Sequence, residues 1–241
     1  MPFDMPLAEE IWGAKYRFRS ADAEDADLSA TLDRVAEAVA RAEKPSVRKQ
    51  WRTRFREALS DFRFIPAGRI LAGAGTGRNV TLFNCFVMGT MPDNLPGIFE
   101  HLREAAVTLQ QGGGVGMDFS TIRPAGAAVR GVGAEASGPL SFMDTWDAMC
   151  RTIMSAGQRR GAMMGCLRID HPDIEAFIDA KRDGVRLRNF NLSVLVTDAF
   201  MEALERDGEW TLQHGGKAYR TLPAADLWNR LMRATYDAAE P

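Results

Sequence analysis

Cys85, inside the apolar run VTLFNCFVM from Val80 to Met88, is the residue whose type most invites chemistry. Two readings stand. Free cysteine is among the most buried residue types, which makes Cys85 a small core side chain. The alternative is a redox thiol facing a substrate pocket, which needs a partner cysteine to share the electron pair, and no neighbour in sequence supplies one. Cys150, on a predicted helix, and Cys166, in a predicted strand, read as structural. GGGVG, Gly112 to Gly116, is loosely like the GxGxxG fingerprint, but it follows a helix rather than a strand, the wrong context for a dinucleotide fold. Its missing side chains let backbone amides approach a phosphate or a sugar; a tight helix-to-strand turn accounts for them equally well. Arg123, Arg130, Arg159 and Arg160 lie in glycine-rich loops. A single loop arginine is usually solvated, but four in two loops flanking one helix favour an anionic ligand. His101, His171 and His214 are far apart in sequence and lack metal-ligand spacing, so no protein-held metal is expected. No paired carboxylates stand out as a local acid-base motif.

These residues must be positioned by an alternation of helices and strands. An irregular arm anchored by Trp12, Tyr16 and Phe18 opens the chain. A helix capped by Ser29 is expected from about Ala30 to Glu43, and a basic helix capped by Ser46 from there to about Phe62. After Pro66 the texture changes to short apolar segments punctuated by glycine. Val80–Met88 reads as a strand buried on both faces. Helices are predicted over Pro96–Gln111 and Pro139–Ser155, with strands at Val115–Phe119, Ala162–Ile169 and Asn189–Thr197. His171-Pro172-Asp173 starts a helix to about Arg182, Asp198 caps another, and Ala224–Ala239 is amphipathic. Strands alternating with helices imply an α/β architecture with largely parallel pairing. The natural division is residues 1–65 as arm and helical region and 66–241 as the α/β part.

Composition narrows the classes. A chain of 241 residues with 46% hydrophobic and 26% charged residues is an ordinary globular one. Thirty basic against 32 acidic residues, a net charge of −2, argue against a dedicated nucleic-acid binder. Three cysteines are too few and too odd in number for a disulfide scaffold. No apolar stretch is long enough to cross a membrane, and the acidic N-terminus lacks a signal peptide, so a cytoplasmic protein is the expectation. Seventeen of the 22 glycines fall between Gly68 and Gly165, marking the middle of the chain for loops that approach a ligand.

FRFIPAGRIL, TLFNCFVMGTMPDNLPGIFE, QQGGGVGMDFSTIRPAG, ASGPLSFMDTWDAM, QRRGAMMGCLRIDHPDIEAFIDAK and NFNLSVLVTDAF resemble, in order, consecutive blocks of ribonucleotide reductase. The likeness is greatest to the adenosylcobalamin-dependent (class II) catalytic subunits. The resemblance implies an N-terminal helical region followed by roughly the first half of a ten-stranded α/β barrel. It implies that Cys85 is one of two thiols that reduce the ribose and become a disulfide. By the same likeness Ala67, Gly68 and Asn84 lie near the substrate phosphates, and Gly113 and Gly114 form the floor under the nucleoside. Asp93 and Arg123 match positions that hold a deoxynucleoside triphosphate effector. Arg123 to Gly138 is then the first effector loop, and Gln158 to Ala162, with Gln158 and Arg159, the second. The Pro96–Gln111 and Pro139–Ser155 helices would pair in a homodimer. The family's NPCGE-like motif with its radical cysteine, the second redox cysteine and most adenosylcobalamin contacts have no counterpart here. The expectation is therefore an N-terminal part of a vitamin B12-dependent reductase that is inactive without a C-terminal portion. A non-catalytic nucleotide-binding or regulatory protein, or a truncated remnant on the same scaffold, is the alternative.

Overall fold

The computed structural model describes residues 3, 5–129, 131, 133–153 and 161–241. The chain divides into two compact units, Met1–Asn84 and Cys85–Pro241.

The first unit is helical: α1 (Pro6–Lys15), α2 (Leu28–Ala40), α3 (Arg48–Leu59), a 3₁₀ turn at Ser60–Phe62, and α4 (Gly68–Gly73). The expected irregular arm is a helix instead, with Pro6 in its first turn, where its missing N–H costs nothing. Asp27, not Ser29, caps α2: its side chain accepts from the Ala30 amide at 2.8 Å. Nor does Ser46 cap the basic helix, whose N-cap is Val47 without a side-chain bond. Trp12, Leu28, Leu32, Val35, Ala36, Leu59 and Ala74 make the core, with Ile70 and Leu71 of α4 packed against it. That packing ties residues 66–84 to the helices, so the compact units meet at Asn84/Cys85 rather than at the 65/66 boundary suggested by composition.

A polar chain runs beside this core. Trp12 Nε1 donates to Thr31 Oγ1 at 3.0 Å, and the Thr31 hydroxyl donates to Asp25 Oδ2 at 2.7 Å. Arg34 meets Asp25 at 2.9 Å and also donates to the Leu71 and Ala74 carbonyls. Burial pushes the Asp25 carboxyl up, but hydrogen bonds from Arg34, the Phe18 amide and Thr31 outweigh it and hold the acid below its ordinary value.

The second unit is α/β. Its elements are β1 (Cys85–Val87), α5 (Leu95–Gln110), β2 (Gly114–Asp118), the β3 (Ala128–Val129) and β4 (Ala134–Glu135) hairpin, and α6 (Gly138–Thr152). They continue with β5 (Met163–Arg168), α7 (Ile174–Ile178), β6 (Phe190–Leu195), α8 (Asp198–Glu205), the β7 (Glu209–His214) and β8 (Lys217–Pro223) hairpin, and α9 (Ala224–Ala238). The sheet order is β1-β2-β5-β6 and every pair is parallel. Strand order follows chain order, with helices between; a dinucleotide-binding sheet would reverse at a switch point. The order is that of a barrel wall.

Successive strand residues point to opposite faces. Val115, Met117, Met163, Leu167, Phe190 and Leu192 enter one core with Ile98 and Leu109 of α5, Met143 and Trp146 of α6, and Phe177 of α7. The opposite face carries Cys85 and, in register, the row Val87, Gly116, Met164 and Asn191. Val87 is 96% exposed and Met164 42%. The expected strand over Val80–Met88, buried on both faces, is therefore corrected: only Cys85–Val87 is strand, and Leu82, Phe83, Cys85 and Val87 are exposed. β1 is an edge strand, so an apolar run that would signal burial inside a sheet has no cover here among the described residues. The two hairpins are additions to the expected elements, with Gly215-Gly216 at the turn between β7 and β8. The cap of α8 is the Thr197 side chain, which accepts from the Phe200 amide, and Asp198 is the helix's first residue.

Candidate active and nucleotide sites

Cys85 opens β1, exposed, with Gly114 as its direct partner on β2. The glycine cluster beside it has two jobs. The Gly112 amide donates to Leu109 O at 2.9 Å and the Gly113 amide to Thr108 O at 2.8 Å, with Gly112 at φ +87°. This is a Schellman turn that closes α5, and a left-handed residue at that position favours glycine. At Gly113 a Cβ would lie 2.8 Å from both the Phe86 ring and the Thr108 methyl, so close packing demands that glycine. Gly114 starts the strand, and alternation puts it on the same open face as Cys85.

Neither remaining cysteine reaches Cys85. Cys150 is buried on α6. Cys166 pairs with Asp118 and shares the open face, but lies two strands across from Cys85 and about 13 Å further along the sheet, beyond the Cα separation a disulfide tolerates. Burial, and then the nearby Asp147 and Asp118 charges, push the Cys150 and Cys166 thiols above their ordinary values. A colorimetric disulfide reagent at neutral pH should therefore modify one thiol quickly, and Cys85→Ser should remove that phase. Three equal slow phases would contradict the exposed placement of Cys85.

Of the other positions singled out in the sequence, Ala67, Gly68 and Asn84 lie in the helical unit. Ala67 is the N-cap of α4, and a Cβ on Gly68 would sit 2.9 Å from the Tyr16 ring, so packing alone accounts for that glycine. The Asn84 side chain accepts from Arg69 Nε at 3.2 Å.

In the second unit the structure brings Asp93 and Arg123 together. Arg123 Nε donates to Asp93 Oδ2 at 2.8 Å and Nη2 to the Asp93 carbonyl at 3.0 Å, with both side chains about one-third exposed. Asp93 immediately precedes Asn94, whose side chain caps α5 by accepting from the Gly97 amide at 2.9 Å. A guanidinium held at the start of a 16-residue helix is suited to an anion, because the helix macrodipole adds to the arginine charge. Gln158, Arg159, Arg160 and Arg130 lie outside the described residues.

The histidines behave differently from their sequence spacing. His171 and His214, 43 positions apart, are in edge contact with ring centroids 5.4 Å apart. They do not form a metal pair: His171 Nε2 faces the Ile122 carbonyl, its Nδ1 accepts from the Asp173 amide, and His214 Nε2 faces the Thr121 carbonyl. No group of three or more metal-ligating side chains occurs among the described residues. His171 and Asp173, which the sequence marks only as a histidine without metal-ligand spacing and as a helix start, are brought by the fold to the Ile122–Ala125 segment.

Comparison with known proteins places this geometry. Residues 4–79 match the all-alpha domain of ribonucleotide reductase and residues 83–241 its barrel domain. A vitamin B12-dependent ribonucleoside-diphosphate reductase of Mycobacterium tuberculosis is 39% identical over 216 residues, covering 87% of this chain and 31% of that protein. One of the same name from Thermoplasma acidophilum is 37% identical over 191 residues, 78% of this chain and 25% of the relative. A ribonucleoside-diphosphate reductase subunit alpha of Helicobacter pylori is 34% identical over 216 residues, 78% of this chain and 27% of the relative. The chain thus spans under a third of the length of each of these relatives. With a parallel sheet in barrel order following a helical unit along the chain, and both domain descriptions matched in sequence, the chain belongs to the ribonucleotide reductase family.

Proposed function

We propose that this chain forms the N-terminal helical unit and first barrel strands of a vitamin B12-dependent ribonucleoside-diphosphate reductase, with Cys85 as one of its two reducing thiols. The observation that carries the reading is the exposed Cys85 on the open face of the sheet, in register with Gly114. In this reading a ribose lies over Gly113 and Gly114 with its carbon 2′ near Cys85 Sγ. Cys85 and a second cysteine each give up a proton and an electron as their sulfurs join. The 2′ hydroxyl leaves as water, and a hydrogen takes its place on the sugar. The second sulfur and the radical cysteine come from residues beyond these 241, since Cys150 and Cys166 are wrongly placed. The exposed apolar row around Val87 and Met164, and the edge of β1, are surface that further barrel strands would cover; at the other edge the β6 backbone is already engaged, its Phe190 carbonyl accepting from Lys181 and its Leu192 amide donating to Glu240 at 2.7 Å.

The relatives' names imply cobalamin, a cofactor that supplies the initiating radical when bound. The residues here do not fit a cobalamin site by themselves. All three histidines of the chain face backbone carbonyls, and the open sheet face gives one wall rather than an enclosure. In this reading the adenosylcobalamin contacts come from residues beyond these 241.

Asp93 and Arg123 bind, in this reading, the sugar and phosphates of a deoxynucleoside triphosphate effector. Exposed Phe99 and Val107 on α5 favour the homodimer implied by the resemblance, with α5 and α6 at its contact. Two assays test the reading. The chain, supplemented with a C-terminal reductase fragment, adenosylcobalamin and a dithiol, should form deoxynucleotide; a folded mixture that forms none contradicts it. Calorimetry should show dTTP binding to the chain, weakened at least ~10-fold by Arg123→Ala, the range expected for lost charge-assisted hydrogen bonds. Binding with no turnover in any complemented mixture would favour the regulatory alternative.

A further inference from the structure

The motif His171-Pro172-Asp173 reaches back across the α/β unit to the segment that carries Arg123. We propose that it is a clamp: His171 and Asp173 are positioning residues that fix the backbone on either side of Arg123 and so set the guanidinium against Asp93. The inference rests on the reading of Asp93 and Arg123 as an anion-binding pair and adds to it the residues that hold the pair in shape.

Three observations carry it. First, Asp173 occupies the N-cap position of α7 yet caps nothing there. An aspartate at that position ordinarily accepts from its own helix. Here Asp173 Oδ2 instead accepts from the Ala125 amide at 2.9 Å. Second, His171 is buried at 2% exposure and its two ring nitrogens have opposite tasks. Nδ1 accepts from the Asp173 amide at 3.0 Å, so the proton is on Nε2, which donates to the Ile122 carbonyl at 2.9 Å. The ring is thereby locked as the neutral Nε2–H tautomer. Burial favours that neutral form, outweighing the Ile122 carbonyl and the attraction of Asp173 and Asp170, and the facing His214 of β7 opposes protonation too. Third, Gly138 at the start of α6 lets Asp173 and the Arg123 segment approach. Its φ is +78°, and a Cβ there would lie 2.7 Å from Asp173 Oδ2 and 2.8 Å from the Ala125 amide nitrogen.

The clamp grips Ile122 and Ala125, the residues bracketing Arg123 and Pro124. Thr121 is tied as well: His214 Nε2 donates to its carbonyl at 3.2 Å, and its hydroxyl donates to the Met91 carbonyl at 2.7 Å, two residues before Asp93. Both partners of the ion pair thus hang from one hydrogen-bonded frame. An arginine on an otherwise free loop would lose side-chain and backbone entropy when it bound an anion; this frame removes much of that loss beforehand.

The test uses the full chain, dTTP as probe, and amide exchange as a ligand-free readout. Asp173→Ala should speed exchange at the Ala125 amide at least ~10-fold, shift the Arg123 Nε–H resonance and weaken dTTP binding by about 10-fold. Asp173→Asn, which keeps an accepting oxygen, should restore most of both. The double variant Asp173→Ala with Arg123→Ala should bind no more weakly than Arg123→Ala alone, because the clamp acts through that arginine. Unchanged Ala125 exchange and Arg123 resonance in a folded Asp173→Ala protein would overturn the proposal. Should that variant not fold, wild type decides: nitrogen shifts of a neutral Nε2–H His171 at pH 6 with a protected Ala125 amide support the clamp, and the Nδ1–H tautomer overturns it. A wild-type chain that binds no dTTP, but whose Ala125 and Arg123 signals respond to Asp173→Ala, keeps the clamp and removes the effector reading.

Discussion

Cys85→Ser is expected to lower deoxynucleotide formation by the complemented reductase on the order of 10³-fold while leaving KM within a few-fold. Serine preserves the size of the side chain and the backbone of β1, so a substrate resting on Gly113 and Gly114 meets nearly the same surface. A hydroxyl cannot join a second sulfur and release an electron pair as a thiol does, so the reduction loses its donor. Cys166→Ser is the matched control. It changes the same face of the same sheet, but too far from Cys85 to share a disulfide, and turnover should stay within about two-fold, as for an ordinary tolerated substitution. A Cys85→Ser enzyme that still turns over normally with a dithiol would remove Cys85 from the chemistry.

The second large effect concerns stability. Arg34→Met should destabilise the helical unit by about 3–5 kcal/mol, the range for leaving one partner of a buried ion pair alone. The guanidinium is 11% exposed and the Asp25 carboxylate 6%, and Arg34 also satisfies the Leu71 and Ala74 carbonyls that join α4 to α2. Its loss leaves a buried carboxylate and two carbonyls short of donors at once. Thr31→Val, which removes only the hydroxyl between Trp12 and Asp25, should cost less, about 1–2 kcal/mol. The pH dependence follows from the lowered Asp25 value. Because the folded acid titrates below the unfolded one, the stabilisation is complete above the ordinary carboxylate range and is lost as pH falls through the folded value. Denaturant melts of wild type and Arg34→Met at pH 7 and pH 3 check both points: the gap between them should shrink in acid. A gap under 1 kcal/mol at pH 7 would show that the pair contributes little.

Much of this architecture is legible in the sequence because it rests on local signals. The α5 stripe with its terminal glycines, the amphipathic α9 and the strands at Met163–Arg168 and Phe190–Leu195 follow from periodicity and turn residues. Structure and expectation part where a local signal has two outcomes. Asp27 and Ser29 are both competent caps, and tertiary contacts chose Asp27. The run around Cys85 has the composition of a buried strand but lies at a sheet edge, because burial depends on neighbours that periodicity does not contain. The β7–β8 hairpin is half legible: Gly215-Gly216 follows EWTLQH, where Trp210 and Leu212 alternate with polar residues, but the returning KAYRT segment does not alternate, so the pairing has a signal on one side only. Site legibility divides in the same way. Arg123 was visible as a loop arginine, and its partner Asp93, 30 residues away, came only from the resemblance. The His171 and Asp173 contacts are long-range in sequence, and their one local trace is an aspartate at a cap position that its own helix does not use.

The central claim, that Cys85 gives up its electron in ribonucleotide reduction, is tested most directly by a single turnover without dithiol. The complemented enzyme is mixed with a ribonucleoside diphosphate, quenched in acid, alkylated and digested, and the Cys85 peptide is examined by mass spectrometry. One Cys85-containing disulfide should accumulate for each deoxynucleotide formed. Product appearing while the Cys85 peptide stays fully alkylated would contradict the account.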